Sequence, residues 1–415
     1  MTAASEAALS APSDRPRIPF SLFEDDALRR AWAALGLGSH VRFHTVKRCA
    51  LAWFVCYVPV AVLAWRQGLV GGELAPTNFA ADFAAYVQFF LGLPLFLAAE
   101  AIIDGSTKEA ADQFFRSRIL DADDAERIER VHAAIARARR SPWPEAACVV
   151  LAYAISFAIL VPQFGPRPLP TWHVHGVADG RMLTAPGWWA FCVSLPILNY
   201  VWLRMSWKTM LWIWYLYHVS RSRLDLHPTH PDLTGGIGFV SETQGRFALF
   251  ILAYGLSNVA APVGYEIVIQ NYDFTIMPVW GPVVGFVVGA PLLFTLPLFM
   301  FTKQLFRTRR RALAAYRARV TEFSGVIEKR WLYGEETLPT REELRDLAEQ
   351  SNLGAVFKRI EHMRVVPFDL RSFGQLIGST LGSVSTLLPL LRSRDEVNGA
   401  IELVSKLLEH LGAGH

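Results

Sequence analysis

The sequence predicts an all-α protein built as a polytopic bundle of transmembrane helices. Hydrophobic residues make up 52% of the chain and charged residues only 19%, whereas soluble proteins average about 25% charged residues. The mean hydropathy is positive, at +0.25. Six apolar runs also have, or approach, the length of about 20 residues with which a helix crosses the hydrocarbon core. These runs are Cys49–Trp65, Phe79–Ile103, Ala146–Phe164, Gly187–Tyr217, Phe247–Ile269 and Met277–Thr302.

The positions of lysine and arginine predict the orientation. Basic residues concentrate before the first run, in the second and fourth connections, and after the sixth run, whereas the odd-numbered connections hold only Arg66, Arg167 and Arg181. The positive-inside rule then places the N-terminus and the segment after the sixth run in the cytoplasm of a bacterial inner membrane.

Three regions follow from this topology. Residues 1–48 form an N-terminal cytoplasmic segment, in which Leu28, Trp32 and Leu35 predict a helix lying at the membrane interface. Residues 49–302 form the six-span membrane domain, including cytoplasmic helices within 104–142. Residues 303–415 form a C-terminal cytoplasmic or interfacial helical region.

The last apolar stretch, Phe373 to Leu391, has the length of a span but is rich in glycine, serine and threonine. As a seventh span it would place Arg392, Arg394 and Lys406 outside, against the charge bias of the other connections. We therefore expect a re-entrant or interfacial helix, with a seventh span as the alternative.

A heptad-like spacing follows the sixth run. Apolar residues recur there at intervals of three and four, which predicts a helix that packs within the chain or on a second copy of it. These residues are Leu313, Tyr316, Val320, Phe323 and Ile327.

A polar loop, "HPTHPDLTGGIGF", separates the fourth and fifth runs. His227, His230 and Asp232 are ligand types that zinc and iron accept. However, the two prolines forbid the helical spacing of a zinc-protease motif. We expect a stiff elbow in which Asp232 caps backbone amides and Gly235 and Gly236 form the turn. A bound cation, or a phosphate or lipid headgroup on the glycine-rich backbone, are the alternatives.

Polar residues within apolar runs are costly in lipid and are therefore functional candidates. Glu100 and Asp104 lie one turn apart near the inner end of the second run, and Asn199 and Asn258 lie deeper in the fourth and fifth. The alternative is structural: charges near span ends reach the interface, and asparagines hydrogen-bond helix to helix.

Arg204 and Lys208 are one turn apart on the fourth run, so they share one helix face. Counted from Gly187, Arg204 lies roughly 26 Å deeper at 1.5 Å per residue. The pair is either an anchor that reaches lipid phosphates or a binding site for an anion or acidic lipid. The second hypothesis requires both side chains to face the interior, with an anion or a carboxylate such as Glu100 or Asp104 offsetting their repulsion.

Four stretches resemble a family of uncharacterised bacterial multi-span integral membrane proteins with a THPDxxGGxGF loop motif and a C-terminal MRxVPFD motif. They are "QFFRSRILDADDAERIERV" (Gln113–Val131), "THPDLTGGIGF" (Thr229–Phe239), "FSGVIEKRWLYG" (Phe323–Gly334) and "MRVVPFDLRSF" (Met363–Phe373). The resemblance implies a multi-span membrane protein and no particular activity.

Three function hypotheses remain. A channel or transporter for ions or small solutes is favoured by the intramembrane polar residues. The alternatives are a membrane-anchored signalling or scaffold protein and, third, a membrane-embedded metal-dependent enzyme. Enzymatic activity is the weakest, because the chain has no Gly-x-Ser-x-Gly or HExxH motif. No cofactor is predicted. Membrane lipids and a second copy of the chain are the expected partners, and the net charge of +4 does not favour nucleic acid.

Overall fold

The computed structural model describes residues 20–24, 26–38, 43–71, 78–161, 171–177, 180–269, 277–333 and 354–390. The fold is nearly all-α. The helices in chain order are α1 Ala27–Ala34, α2 His44–Arg66, α3 Phe83–Arg116, α4 Ala122–Arg140, α5 Pro142–Leu160, α6 185–220, α7 Gly238–Val268, α8 Met277–Thr295, α9 Thr302–Tyr333, α10 354–361 and α11 Leu370–Val384. Short 3₁₀ turns, Phe79–Ala81, Leu296–Phe301 and Ser385–Leu390, precede α3, join α8 to α9 and follow α11. Strands β1 Val174–Val177 and β2 Gly180–Leu183 form an antiparallel hairpin in which Val174 pairs with Leu183.

Within the described residues, five helices are long and apolar enough to cross a membrane. They are α2, α3, α5, α7 and the continuous stretch Val279–Ala318 that joins α8 to α9. The fourth predicted run forms α6, which is as long as the others but carries Arg204 and Lys208. It packs against α5 and α3. The chain is thus a membrane protein by composition and length, with five of the six predicted runs meeting this criterion.

Contacts between connections define the two ends of the bundle. At one end, which we call the hairpin end, Trp172 Nε1 donates a hydrogen bond of 2.7 Å to Asp82 Oδ2. At the other, which we call the charged end, the amide of Asp225 donates to the carbonyl of Ile119 at 2.8 Å. The backbone segments 117–121, 221–237 and 363–369 meet at this charged end, and Arg309 of α9 reaches the Glu361 carbonyl there.

Three helices contain a π-helical segment that ends two residues before a proline. The segments are Val87–Gly92 in α3, Ala190–Ser194 in α6 and Leu256–Ala260 in α7, and the prolines are Pro94, Pro196 and Pro262. Proline has no N–H and its ring clashes with the carbonyl four residues earlier, so the helix widens before it. Freed carbonyls need other donors, and Gln88 Nε2 of α3 donates to the Ser257 carbonyl of α7 at 3.1 Å.

The last apolar stretch packs with one face on α7 and α8. The amide of Asp369 donates to Ser241 Oγ at 3.0 Å, at the start of α7. Further along, three glycines of α7 face α11 and the turn that follows it, and a methyl group on Gly245 or Gly255 would overlap α11. Gly245 faces Ser372, Gly255 faces Ser383 and Gly264 faces Leu390. Residues 369–390 therefore run alongside α7 over most of its length.

One expected boundary differs from the structure. The helix of the second run does not end at the membrane: α3 continues unbroken to Arg116, and only α4 is a separate helix in the 104–142 region. All five residues with heptad-like spacing lie on α9, as expected for a helix, but the side chains of Phe323 and Ile327 lie outside the described residues.

Candidate functional site

The centre of the candidate site is the face of α6 that carries Arg204 and Lys208. Both residues are 1% exposed and point into the bundle instead of towards lipid. Trp212 and Tyr215, which follow on the same helix, are also fully buried. Both side chains therefore lie in the interior, as the anion-site hypothesis requires.

Arg204 faces carboxylates from three separate elements. Its Nη1 lies 2.8 Å from Glu100 Oε2 of α3, and its Nη2 pairs with Asp26 Oδ2. Its Nε lies 3.9 Å from Glu145 Oε1, at the start of α5. The planar guanidinium offers five N–H donors, so one arginine can join several carboxylates.

Lys208 shares only one of these partners. Its Nζ lies 3.5 Å from Asp26 Oδ2, and it makes no hydrogen bond within the described part of the chain. The Asp26 carboxylate thus lies between the two cations and offsets their mutual repulsion.

Asp26 comes from outside the membrane helices. It is fully buried and caps the N-terminus of α1, where its Oδ1 accepts a hydrogen bond of 2.9 Å from the Arg29 amide. Its other oxygen, Oδ2, faces Arg204 and Lys208. Burial alone would raise the pKa of Asp26, but the nearby charges of Arg204 and Lys208, with the Arg29 amide, outweigh burial and lower that pKa. Asp26 is therefore an anion at neutral pH.

The residues around Asp26, 20–24 and 26–34, form what we call the N-terminal segment, which fills the charged end of the bundle. Phe20, Leu22 and Phe23 are 1% exposed or less. The Phe20 ring packs among the rings of Trp212, Tyr215 and His132. These buried residues precede the expected interfacial helix. Of α1 itself only Trp32 is buried, and Leu35, which follows it, is 63% exposed.

Polar contacts hold the N-terminal segment on α3 and α4. Ser21 Oγ donates to Asp104 Oδ1 at 2.9 Å, and Arg139 Nη1 donates to the Ser21 carbonyl at 2.6 Å. Arg29 Nη2 lies 2.9 Å from Asp104 Oδ2, and its Nε lies 3.5 Å from Glu100 Oε1. The Asp104 carboxylate thus pairs with Arg29 and accepts a hydrogen bond from Ser21, both in this segment. Its described ion pair is not with the cations of α6.

Four of the predicted polar residues come together and two do not. Arg204, Lys208, Glu100 and Asp104 belong to this cluster. The amide of Asn199 instead donates to Ser156 Oγ at 3.0 Å and accepts from Trp202. The side-chain amide of Asn258 donates to the Tyr254 carbonyl of its own helix at 3.4 Å. The two asparagines have structural partners.

Sequence reasoning missed three members of the cluster: Asp26, Arg29 and Glu145. Two cations one turn apart on a membrane helix imply more than one carboxylate nearby. The spacing of Arg204 and Lys208 thus indicates that carboxylates lie nearby, but it does not identify them.

The loop between α6 and α7 forms the expected elbow. The Asp232 carboxylate accepts hydrogen bonds from the amides of Thr234, Gly236 and Gly238 at 2.9–3.1 Å. Gly235 and Gly236 have φ angles of +70° and +96°, which β-carbon-bearing residues rarely adopt. Burial would raise the pKa of Asp232, but these amide donors lower it.

His227 and His230 do not complete a metal site with Asp232. His230 Nδ1 lies 2.8 Å from Asp232 Oδ1, whereas the backbone of His227 bonds to the Gly235 carbonyl. No group of three or more metal-ligating side chains occurs among the residues for which coordinates are described. The carboxylate that would bind the metal is already used by backbone amides.

The elbow also packs against the C-terminal motif. The amide of Arg364 donates to the Leu233 carbonyl at 2.7 Å, and the Met363 side chain lies against Gly235. Two of the stretches that carry the family resemblance therefore contact each other directly at the charged end.

Comparison of the chain with protein-family models, curated proteins and solved structures found no match. The resemblance to a bacterial membrane-protein family accordingly stays a prediction. Function has to be inferred from the buried cluster itself.

Proposed function

We propose that this protein is a channel or transporter for ions or small solutes in the bacterial inner membrane. The observation that carries this proposal is the pair Arg204 and Lys208, buried inside a membrane bundle. Charges at such positions are costly in lipid and usually mark a solute or ion pathway. A buried ion pair seldom stabilises a protein more than apolar residues of the same volume would, so stability alone is a poor reason for the cluster.

The proposed topology places the charged end in the cytoplasm. Helices α2, α3, α5, α6, α7 and α8 provide six crossings, and α11 provides a seventh. Arginines crowd the start of α9 at this end, at Arg307, Arg309, Arg310 and Arg311, as the positive-inside rule expects. Reporter fusions after residues 120 and 235 should read cytoplasmic, and a fusion near 175 periplasmic. A fusion after 390 should also read periplasmic; a cytoplasmic signal there would exclude the seventh crossing.

The described arrangement corresponds to a closed cytoplasmic mouth. The N-terminal segment occupies the space beside Arg204, and a cavity of about 20 Å³ lined by Arg29, His44, Arg48 and Glu100 reaches the cluster from the side. Such a cavity holds about one water molecule. A solute that passes Arg204 therefore requires the N-terminal segment to move.

Flux across liposomes tests this function. Full-length protein reconstituted into proteoliposomes should move small anions or cations faster than empty liposomes. The Lys208→Met variant should change the rate or the selectivity, whereas Lys303→Met, on the exposed start of α9, should leave both unchanged. Flux equal to that of empty liposomes for every solute tested would refute the proposal.

A signalling or scaffold function is the second candidate. It is favoured by the interlocked charged end, where the elbow contacts both 117–121 and the C-terminal motif. These contacts at the charged end would pass a conformational change in the bundle to α9 or α10. This candidate predicts a protein without flux whose α9 changes its exposure when the N-terminal segment is displaced.

A further inference from the structure

We propose that Arg204 and Lys208 form a binding subsite for small carboxylates, and that Asp26 occupies this subsite as a tethered ligand. An incoming carboxylate displaces Asp26 and thereby releases the N-terminal segment. This inference rests on the proposed function, because it names the solute class that the buried cluster accepts.

The geometry of Asp26 resembles that of a bound ligand that fills its site incompletely. One carboxylate oxygen is committed to the Arg29 amide, so only Oδ2 serves both cations. Lys208 Nζ and Arg204 Nε are both buried without a hydrogen-bond acceptor in the described part of the chain. A free carboxylate has two unengaged oxygens and can accept from both side chains at once.

Charge favours a carboxylate over a neutral or cationic ligand. Exchanging one carboxylate for another leaves the charge of the cluster unchanged. A neutral ligand in the same place would leave two buried cations facing each other without the anion between them, which is costly. An amine would add a third positive charge beside them.

The apolar neighbour of the site suggests a suitable probe. The Arg204 guanidinium carbon lies 5.1 Å from the centre of the Phe23 ring, within the range of a cation–π contact. The N-terminal segment therefore presents an aromatic ring and a carboxylate to the same arginine. Benzoate combines these two groups in one small molecule, and benzamide is its neutral counterpart of nearly the same shape.

Hydrogen exchange of the wild-type, full-length protein in nanodiscs tests the displacement. The amides of α1 should exchange faster in sodium benzoate than in sodium chloride of equal ionic strength. By mass action, benzoate at ten times its dissociation constant should make release of the N-terminal segment roughly tenfold more frequent. Benzamide should have no effect, and the amides of the elbow, residues 232–238, should not change. Equal exchange of α1 in benzoate and in chloride would overturn the proposal.

Chemical rescue provides an independent measurement. Asp26→Ala removes the carboxylate and should lower the melting temperature. Formate should restore it, whereas formamide and chloride should not, and the double variant Asp26→Ala/Lys208→Met should lose the rescue. No recovery of Asp26→Ala by formate would count against the subsite, and if this variant fails to fold, the exchange experiment on the wild-type protein still decides.

Neither readout measures transport, so the two proposals fail separately. Displacement by benzoate without any flux would retain the subsite and refute the channel or transporter. Flux without displacement by benzoate would refute the subsite alone.

Discussion

Replacing Asp26 with asparagine should release the N-terminal segment from the bundle. Asparagine has the same shape and is itself a good helix N-cap, so this change removes the charge and little else. Arg204 keeps Glu100 at 2.8 Å. Lys208, however, loses the only ion-pair partner that it has among the described residues, while it remains 1% exposed.

The size of the effect follows from this burial. Removing one partner of a buried ion pair costs about 3–5 kcal/mol. We expect about 3 kcal/mol, because Arg204 stays paired and the loss cannot exceed the free energy that docks the segment. Since 1.4 kcal/mol corresponds to a factor of ten, the amides of α1 should exchange about 100-fold faster in Asp26→Asn than in the wild-type protein.

Asp112→Asn is the matched control for this measurement. Asp112 also pairs with an arginine, Arg116 at 3.8 Å, but the two side chains are 45% and 80% exposed. Exposed pairs contribute roughly 0–1 kcal/mol, so exchange in α1 should stay near the wild-type rate. If Asp26→Asn exchanges no faster than Asp112→Asn, the buried pair does not hold the segment and the reasoning fails.

Three further predictions concern pH, the elbow and helix packing. The folded-state pKa of Asp26 is lowered from an ordinary value of about 3.9. Its contribution to the free energy of unfolding is therefore fully present above about pH 3.9 and is lost as the pH falls through the lower pKa of the folded state. The difference in melting temperature between wild type and Asp26→Asn should therefore be constant from about pH 7 to 5 and shrink below about pH 4; a constant difference at pH 3 would contradict the assignment. Asp232→Ala leaves three backbone amides without an acceptor and should cost about 1–3 kcal/mol in thermal unfolding, whereas His227→Ala should be mild; equal effects would refute the elbow. A side chain at Gly92 would overlap Ser257 of α7, whereas one at Gly105 would meet nothing within 4 Å; Gly92→Leu should therefore abolish the monodisperse peak in size-exclusion chromatography and Gly105→Leu should retain it.

The features that the sequence predicted well are those with a local physical cause. The length of the apolar runs predicts the membrane helices, because the thickness of the bilayer sets the length of a helix that crosses it. The prolines, Asp232 and the two glycines predict the elbow, because each residue restricts its own backbone or caps its neighbours. The inward direction of Arg204 and Lys208 was one of two alternatives, and it follows from the cost of leaving two adjacent cations without an anion.

The features that the sequence did not predict depend on contacts between distant residues. Asp26 and Arg204 are 178 positions apart, and an amphipathic pattern around Trp32 indicates an apolar face without indicating what that face contacts. The packing of α11 depends on distant contacts in the same way. Charge bias argued against a seventh crossing, whereas packing against Gly245, Gly255 and Gly264 of α7 places it along the bundle.

Cysteine cross-linking in native membranes can show whether the N-terminal segment is docked in the charged end of the membrane bundle. Glu24 Oε1 and Lys108 Nζ lie 2.8 Å apart, with side chains 40% and 38% exposed, so a reagent can reach both. In a background without Cys49, Cys56, Cys148 and Cys192, the pair Glu24→Cys/Lys108→Cys should be joined by a short bifunctional thiol reagent. The control pair Glu24→Cys/Lys303→Cys should not be joined. Mass spectrometry of the joined peptides should also show benzoate reducing the first product, and absence of that product in the membrane-embedded protein would contradict the docked segment.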